Sequence, residues 1–182
     1  MINLSIKTLE KYNACQDAKD WFANSKTKTL EDAYNQLIKE NHLFKYQWTS
    51  WIVARLLNKN NKIKYAIYAA EQVIHIFEKQ YPNDNRPREA INAIKAYLKN
   101  PTKENKEKCK IAAKAAYYAA YYAAADAAAD AYCAAYYAAA SAAFAASYAA
   151  AAYAAASLAG ISSDEMYNKI IRYGIKLLNN NS

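Results

Sequence analysis

Apolar and polar positions recur at helical spacing along most of this chain. Leu4, Leu9, Tyr12, Cys15 and Trp21 predict a first amphipathic helix, ending in the polar stretch Asn24-Ser25-Lys26-Thr27-Lys28. Thr29-x-x-Asp32 resembles a capping box, and Leu30, Ala33, Tyr34, Leu37 and Ile38 behind it give a short second helix. A third carries Trp48, Trp51, Ile52, Arg55 and Leu56 and is closed by Asn58-Lys59-Asn60-Asn61. Ile63, Ala66, Ala70, Val73, Ile74 and Phe77 define a fourth. The turn Tyr81-Pro82-Asn83-Asp84-Asn85-Arg86-Pro87-Arg88 follows, and its second proline can begin the next helix, whose buried face is Ala90, Ile91, Ile94, Tyr97 and Leu98. Asn100-Pro101 then reads as a cap and first-turn proline for the longest helix of all.

From Ile111 to Ser157 that helix is almost entirely alanine and tyrosine, without Gly or Pro, and alanine is the best intrinsic helix former. One stripe carries Tyr118, Tyr122, Asp126, Asp130, Cys133, Tyr137, Ser141, Phe144 and Tyr148; a second carries Tyr117, Tyr121, Tyr132 and Tyr136. Between them lies an alanine-only sector about 120° wide, a face that lets another backbone approach closely and invites a second copy of the chain. The run is one helix, or two joined near Asp126–Asp130. Gly160 is placed as its stop, and Ser162-x-x-Glu165 is a capping box for a last helix with Met166, Ile170, Tyr173 and Leu177. The expected fold is all-α: a single-domain bundle over 1–182 of about seven helices, with a basic helical part (1–100), the Ala/Tyr-rich helix (101–160) and a C-terminal helix (162–179).

Composition narrows the chemistry. Two glycines exclude a glycine-rich phosphate loop, a dinucleotide fingerprint and a nucleophile elbow. The formal charge of +8 is confined to residues 1–110, which hold 20 Lys/Arg against 12 Asp/Glu, leaving 4 of each in the remainder. From Asn41 to Ala70 there is no acid, while Lys45, Arg55, Lys59, Lys62 and Lys64 accumulate, a field that favours an anionic partner. Cys15, Cys109 and Cys133 show no CxxC spacing, and the N-terminal sequence has no apolar signal core. Reduced cysteines in a cytoplasmic protein are therefore expected. Asp126 and Asp130 within the alanine run argue against a membrane span.

Catalysis finds little support. Glu71, His75 and Glu78 share a helix face, but a di-metal bundle needs a second Glu-x-x-His that the chain lacks. Asp126 and Asp130 form a carboxylate pair better read as a polar notch than as acid and base. No Ser/His/Asp or Cys/His arrangement stands in local order. No enzyme, metal or cofactor is expected.

Binding is the better prospect. Around Trp48, Trp51 and Tyr65, rings that could stack on a base alternate with Lys64 and Arg55, although the tryptophan spacing equally suits a core. Arg86 and Arg88 bracket Pro87 at a helix start, where they could grip an anion or clasp nearby Asp84 and Glu89 to lock the turn. Tyr118 and Tyr122 could line a groove. The expected ligand-binding set is thus Arg86, Arg88, Arg55, Trp48, Trp51, Tyr65, Lys64, Tyr118 and Tyr122.

Cys15-x5-Trp21, the paired tryptophans, Ala69-Ala70-Glu71 and the string Tyr-Pro-x-Asp-x-Arg-Pro-Arg-x-Ala-Ile from Tyr81 to Ile91 resemble the family called putative immunity proteins, over roughly residues 10–160. That family occurs in bacterial toxin–immunity loci and in phages. The resemblance implies a conflict protein acting by binding, with no catalytic residues to carry over. Two readings follow. In the first, the protein sequesters an anionic, nucleotide-like immune signal as a phage anti-defence sponge. In the second, it neutralises a toxin by protein–protein binding. Inhibitors of nucleases are usually acidic, so +8 argues against that class of toxin. Nucleic acid is a poorer partner, because nothing reads as a recognition helix. Ice binding is disfavoured by the absence of threonine from the alanine run.

Overall fold

The computed structural model describes residues 1–123 and 163–180. Those residues form eight helices and no strand: α1 Ile6–Lys11, α2 Gln16–Ser25, α3 Leu30–Lys39, α4 Lys45–Leu56, α5 Lys59–Gln80, α6 Arg86–Lys99, α7 Lys103–Ala123 and α8 Ser163–Asn179. The fold is all-α, as the periodicity predicts. No described helix is long and apolar enough to cross a membrane. The remainder of the Ala/Tyr run lies outside the described residues, and with it the break at Asp126–Asp130, the alanine face as an oligomer contact, Cys133, the Gly160 stop and the Ser162 cap.

Two compact units divide the chain, Met1–Leu57 with Ile171–Ser182, and Asn58–Ile170. In the first, α1 packs on α2, α2 on α3 and α3 on α4. Leu30, Ala33, Tyr34 and Leu37 stand on one face of α3 and are all buried, alongside Leu4, Leu9, Phe22, Ile52 and Val53. A lone antiparallel bridge joins Asn3 to Thr29. The ends of the chain meet here. Ile2 N–H donates to Asn179 Oδ1 at 3.2 Å, and the Arg172 guanidinium lies 5.6 Å above the Tyr34 ring.

The first predicted helix forms as two, because the chain turns at Asn13 in the left-handed region (φ 58°). Ala14 N–H bonds Leu9 O and Asn13 N–H bonds Glu10 O, both at 2.9 Å, the paired bonds of a Schellman stop. Asn41 (φ 48°) ends α3 the same way, with His42 N–H on Leu37 O and Asn41 N–H on Ile38 O. In a chain so poor in glycine, asparagine takes over the role glycine usually has at such stops.

Three helix starts also differ from the reading. Thr29 Oγ1 caps α3 by accepting Asp32 N–H at 3.1 Å, but its hydroxyl donates to the Asp32 carboxylate, giving half of a capping box. Asn58 begins α5 by accepting Asn61 N–H at 3.0 Å, so the polar knot that closes α4 also opens its successor. Asn100 ends α6 and does not start α7; Thr102 caps α7 by accepting Asn105 N–H at 3.1 Å.

In the second unit α5 packs on α6, and α6 on α7. Ile63, Tyr65, Ala66, Ala69, Ala70, Ile74 and Phe77 of α5 are buried, as are Pro87, Ala90, Ile91 and Ile94 of α6. Cys109 is buried on α7, where burial pushes its thiol pKa up and keeps it inert.

Candidate functional site

The best-defined surface feature of the second unit is the turn between α5 and α6. Tyr81 N–H closes α5 on Phe77 O at 2.8 Å, and the two rings sit 5.0 Å apart. Asp84 N–H returns to Tyr81 O at 3.0 Å, so residues 81–84 make a β-turn with Pro82 at the position whose φ proline pre-sets. Pro87 is buried in the first turn of α6, where its missing N–H costs no helical bond.

Two arginine forks then fix this turn. Arg86 Nε and Nη2 donate to Asp84 Oδ1 and Oδ2 at 2.8 and 2.6 Å, while Arg86 N–H also reaches Oδ1 at 3.1 Å. Arg88 Nε and Nη2 grip both Glu78 oxygens at 2.7 and 2.8 Å, tying α6 back to α5. Such two-point pairs carry geometric specificity as well as charge. Hydrogen bonds from Arg86 hold the Asp84 carboxyl below its ordinary pKa, and the Glu78 carboxylate holds Arg88 above its own. Lys95 on α6 also pairs with Glu71 on α5, through a single ammonium–carboxylate contact. What remains on the outside is an open depression of about 630 Å³ lined by Tyr81, Pro82, Asn83, Asp84, Asn85, Arg86 and Glu89. Pro82, Asn83, Asn85 and Glu89 are exposed on it.

The lowered Asp84 value has a measurable consequence. A carboxylate of depressed pKa stabilises the fold fully above its unfolded value, about 3.9, and loses that contribution as pH falls through the lowered value. Asp84→Asn is therefore expected to lower Tm slightly at neutral pH and to leave it nearly unchanged in acid, so that the fall of Tm below about pH 4 is flatter than in the wild type, in a thermal-melt series from acid to neutral buffers.

The other expected ligand residues fall as follows. Trp48 and Trp51 are half-buried on α4, whereas Ile52 beside them is buried. Trp48 stacks on Phe44 (centroids 5.4 Å) and lies against His42 (4.6 Å). Arg55 is exposed with its guanidinium 5.5 Å from the Trp51 ring. These three belong to the first unit; Lys64, Tyr65, Arg86 and Arg88 belong to the second. Lys64 is exposed, but Tyr65 is wholly buried and offers no ring to solvent. Tyr118 and Tyr122 lie on α7, their side chains outside what is described. Sequence reasoning named Asp84 and Glu89 as clasp partners and missed Glu78. The missed signal is register: Glu78 and Arg88 stand equally far from Asn83, as do Glu71 and Lys95, which is what an antiparallel helix pair folded at Asn83 brings together.

No curated protein and no solved structure matches the chain. A family model, described as Imm-5 like putative immunity protein, matches residues 54–180. The match starts later than the resemblance read from the residues, leaving Cys15 and Trp21 outside, and it takes in the whole clasped turn with both partners of each clasp. Over that stretch, more than half its length, this chain belongs to the family of Imm-5 like putative immunity proteins.

Proposed function

We propose that the protein is an immunity factor that neutralises a toxin by binding it, without chemistry, and that the clasped turn at residues 81–89 is its contact surface. Family membership carries the reading, since the matched residues include the turn. Rigidity supports the choice of surface. Ordering a loop on association costs affinity, and a turn already held by two forks and a buried proline avoids that cost. The basic surplus of the chain would steer an acidic toxin towards it, while the turn itself, with Asp84 and Glu89 against Arg86 and Arg88, is balanced in charge.

Sequestration of an anionic nucleotide has less to stand on. Both forks that would grip a phosphate hold carboxylates, and Tyr65 is buried.

The test is co-expression with a candidate toxin drawn from the genes that flank its own. The wild-type chain is expected to restore growth and to co-purify with the toxin. Asn83→Arg, on the exposed rim, is expected to abolish both while its Tm stays within a few degrees of wild type. Full rescue by that variant would move the contact surface elsewhere, and failure of the wild type to bind the toxin would sink the proposal.

A further inference from the structure

The chain has three tryptophans, and all three line one cleft of the first unit. Trp21 comes from α2, Trp48 and Trp51 from α4, and Leu9, Phe22, Leu30 and Leu37 complete its apolar wall. The volume is about 360 Å³, within the range that small ligands occupy. No Lys, Arg, Asp or Glu lines it; its polar wall residues are Asn13, Cys15, Gln47 and Thr49. Thr49 already donates its hydroxyl to Lys45 O at 2.7 Å.

Neighbours outside the cleft hold two of its indoles. Trp21 Nε1 donates to Glu40 Oε2 at 2.9 Å, and bonds from Gln36 and from Trp21 hold that carboxyl below its ordinary pKa. The Trp48 indole is fixed by Phe44 and His42. An anion entering would lose its hydration among walls that carry no cation, the Arg55 guanidinium lying outside the lining, 5.5 Å from the Trp51 ring, and that loss is costly. A flat neutral molecule would bury apolar area against three indoles and find amide groups on Asn13 and Gln47 to orient it.

We propose that this cleft binds a neutral, ring-bearing small molecule. This inference does not rest on the toxin reading: the cleft's walls come from residues 4–52, ahead of the stretch the family model matches.

The full-length chain is titrated with N-phenyl-1-naphthylamine, an uncharged two-ring fluorophore. Every tryptophan lies on the cleft, so energy transfer from tryptophan reports probe bound in its neighbourhood, and the variant and the cysteine protection below assign it to the cleft. Saturable transfer at one equivalent is expected, with binding about tenfold or more weaker for the anionic anilinonaphthalene sulfonate. Ala18→Phe, which fills the cleft from α2, is expected to weaken the neutral probe about tenfold. As a measurement that needs no variant, bound probe is expected to slow iodoacetamide alkylation of exposed Cys15 on the cleft wall, followed on its peptide by mass spectrometry. Absence of saturable transfer, equal binding of the sulfonate, or unprotected Cys15 would each overturn the proposal.

Discussion

Phe77→Ala is expected to remove about 3–5 kcal/mol of stability, the usual range for deleting a buried phenylalanine ring. Phe77 is 1% exposed near the end of α5, and its ring meets Tyr81 at the first residue of the turn. Deleting it leaves a cavity where the second unit's core runs into the clasped turn. Neighbouring rings held by backbone bonds have little freedom to collapse into the space. For a chain of this length the loss corresponds to a fall in Tm of about 10 °C. Phe77→Leu keeps most of the buried area and should cost no more than about 1.5 kcal/mol. Urea unfolding followed by far-UV circular dichroism reads the effect. Tryptophan fluorescence adds a second reading, because all three tryptophans belong to the first unit. Coincident transitions in Phe77→Ala would mean that the two units unfold together, whereas a fluorescence transition at higher urea would show the first unit standing alone. A loss below about 1 kcal/mol would mean that Phe77 is not the core residue its burial indicates.

What could be read ahead of the structure was whatever rests on local periodicity. Of the face expected on α3, Leu30, Ala33, Tyr34 and Leu37 are buried and Ile38 is half-buried; of that expected on α6, Ala90, Ile91 and Ile94 are buried, while Tyr97 and Leu98 in its last turn are half-buried. The break between α1 and α2 escaped because the stop is carried by Asn13, a residue equally at home in a polar helix face. The start of α7 was misplaced by two residues because Asn100-Pro101 and Thr102 both carry cap chemistry, and only the accepted Asn105 N–H decides between them. At the candidate site Arg86, Arg88 and Asp84 could be named from their neighbourhood. Glu78 needed the register of the α5–α6 pair, which sequence spacing alone does not supply. The tryptophan cleft was the least legible feature. Its walls come from four helices, the loop after α1 and Leu4 ahead of α1, so its uncharged lining exists only once those elements have folded.

Exchanging the carboxylates of the two clasps separates the roles their arginines could have. Each pair is partly open to solvent, so removing both by Arg86→Ala with Arg88→Ala should cost no more than about 2 kcal/mol of stability. Toxin affinity should suffer more. Fixing the backbone of one residue costs about 1–2 kcal/mol, so a turn that must re-order two residues on binding loses about thirtyfold or more in Kd. Arg88→Lys should not restore it, since an ammonium cannot span both Glu78 oxygens. The decisive variant is Asp84→Asn with Glu78→Gln, which breaks both clasps and leaves both guanidinium groups in place. If the forks serve to hold the turn, this variant loses neutralisation as fully as the arginine variant does, at similar Tm. If instead the arginines grip an anion, freeing them from carboxylates should tighten binding of inorganic phosphate and of simple nucleotides, measured by calorimetry, and leave toxin neutralisation intact. The turn belongs to the family-matched stretch and its forks are already occupied, so the first outcome is the expected one, and it would make the rigidity of the turn a requirement for neutralisation.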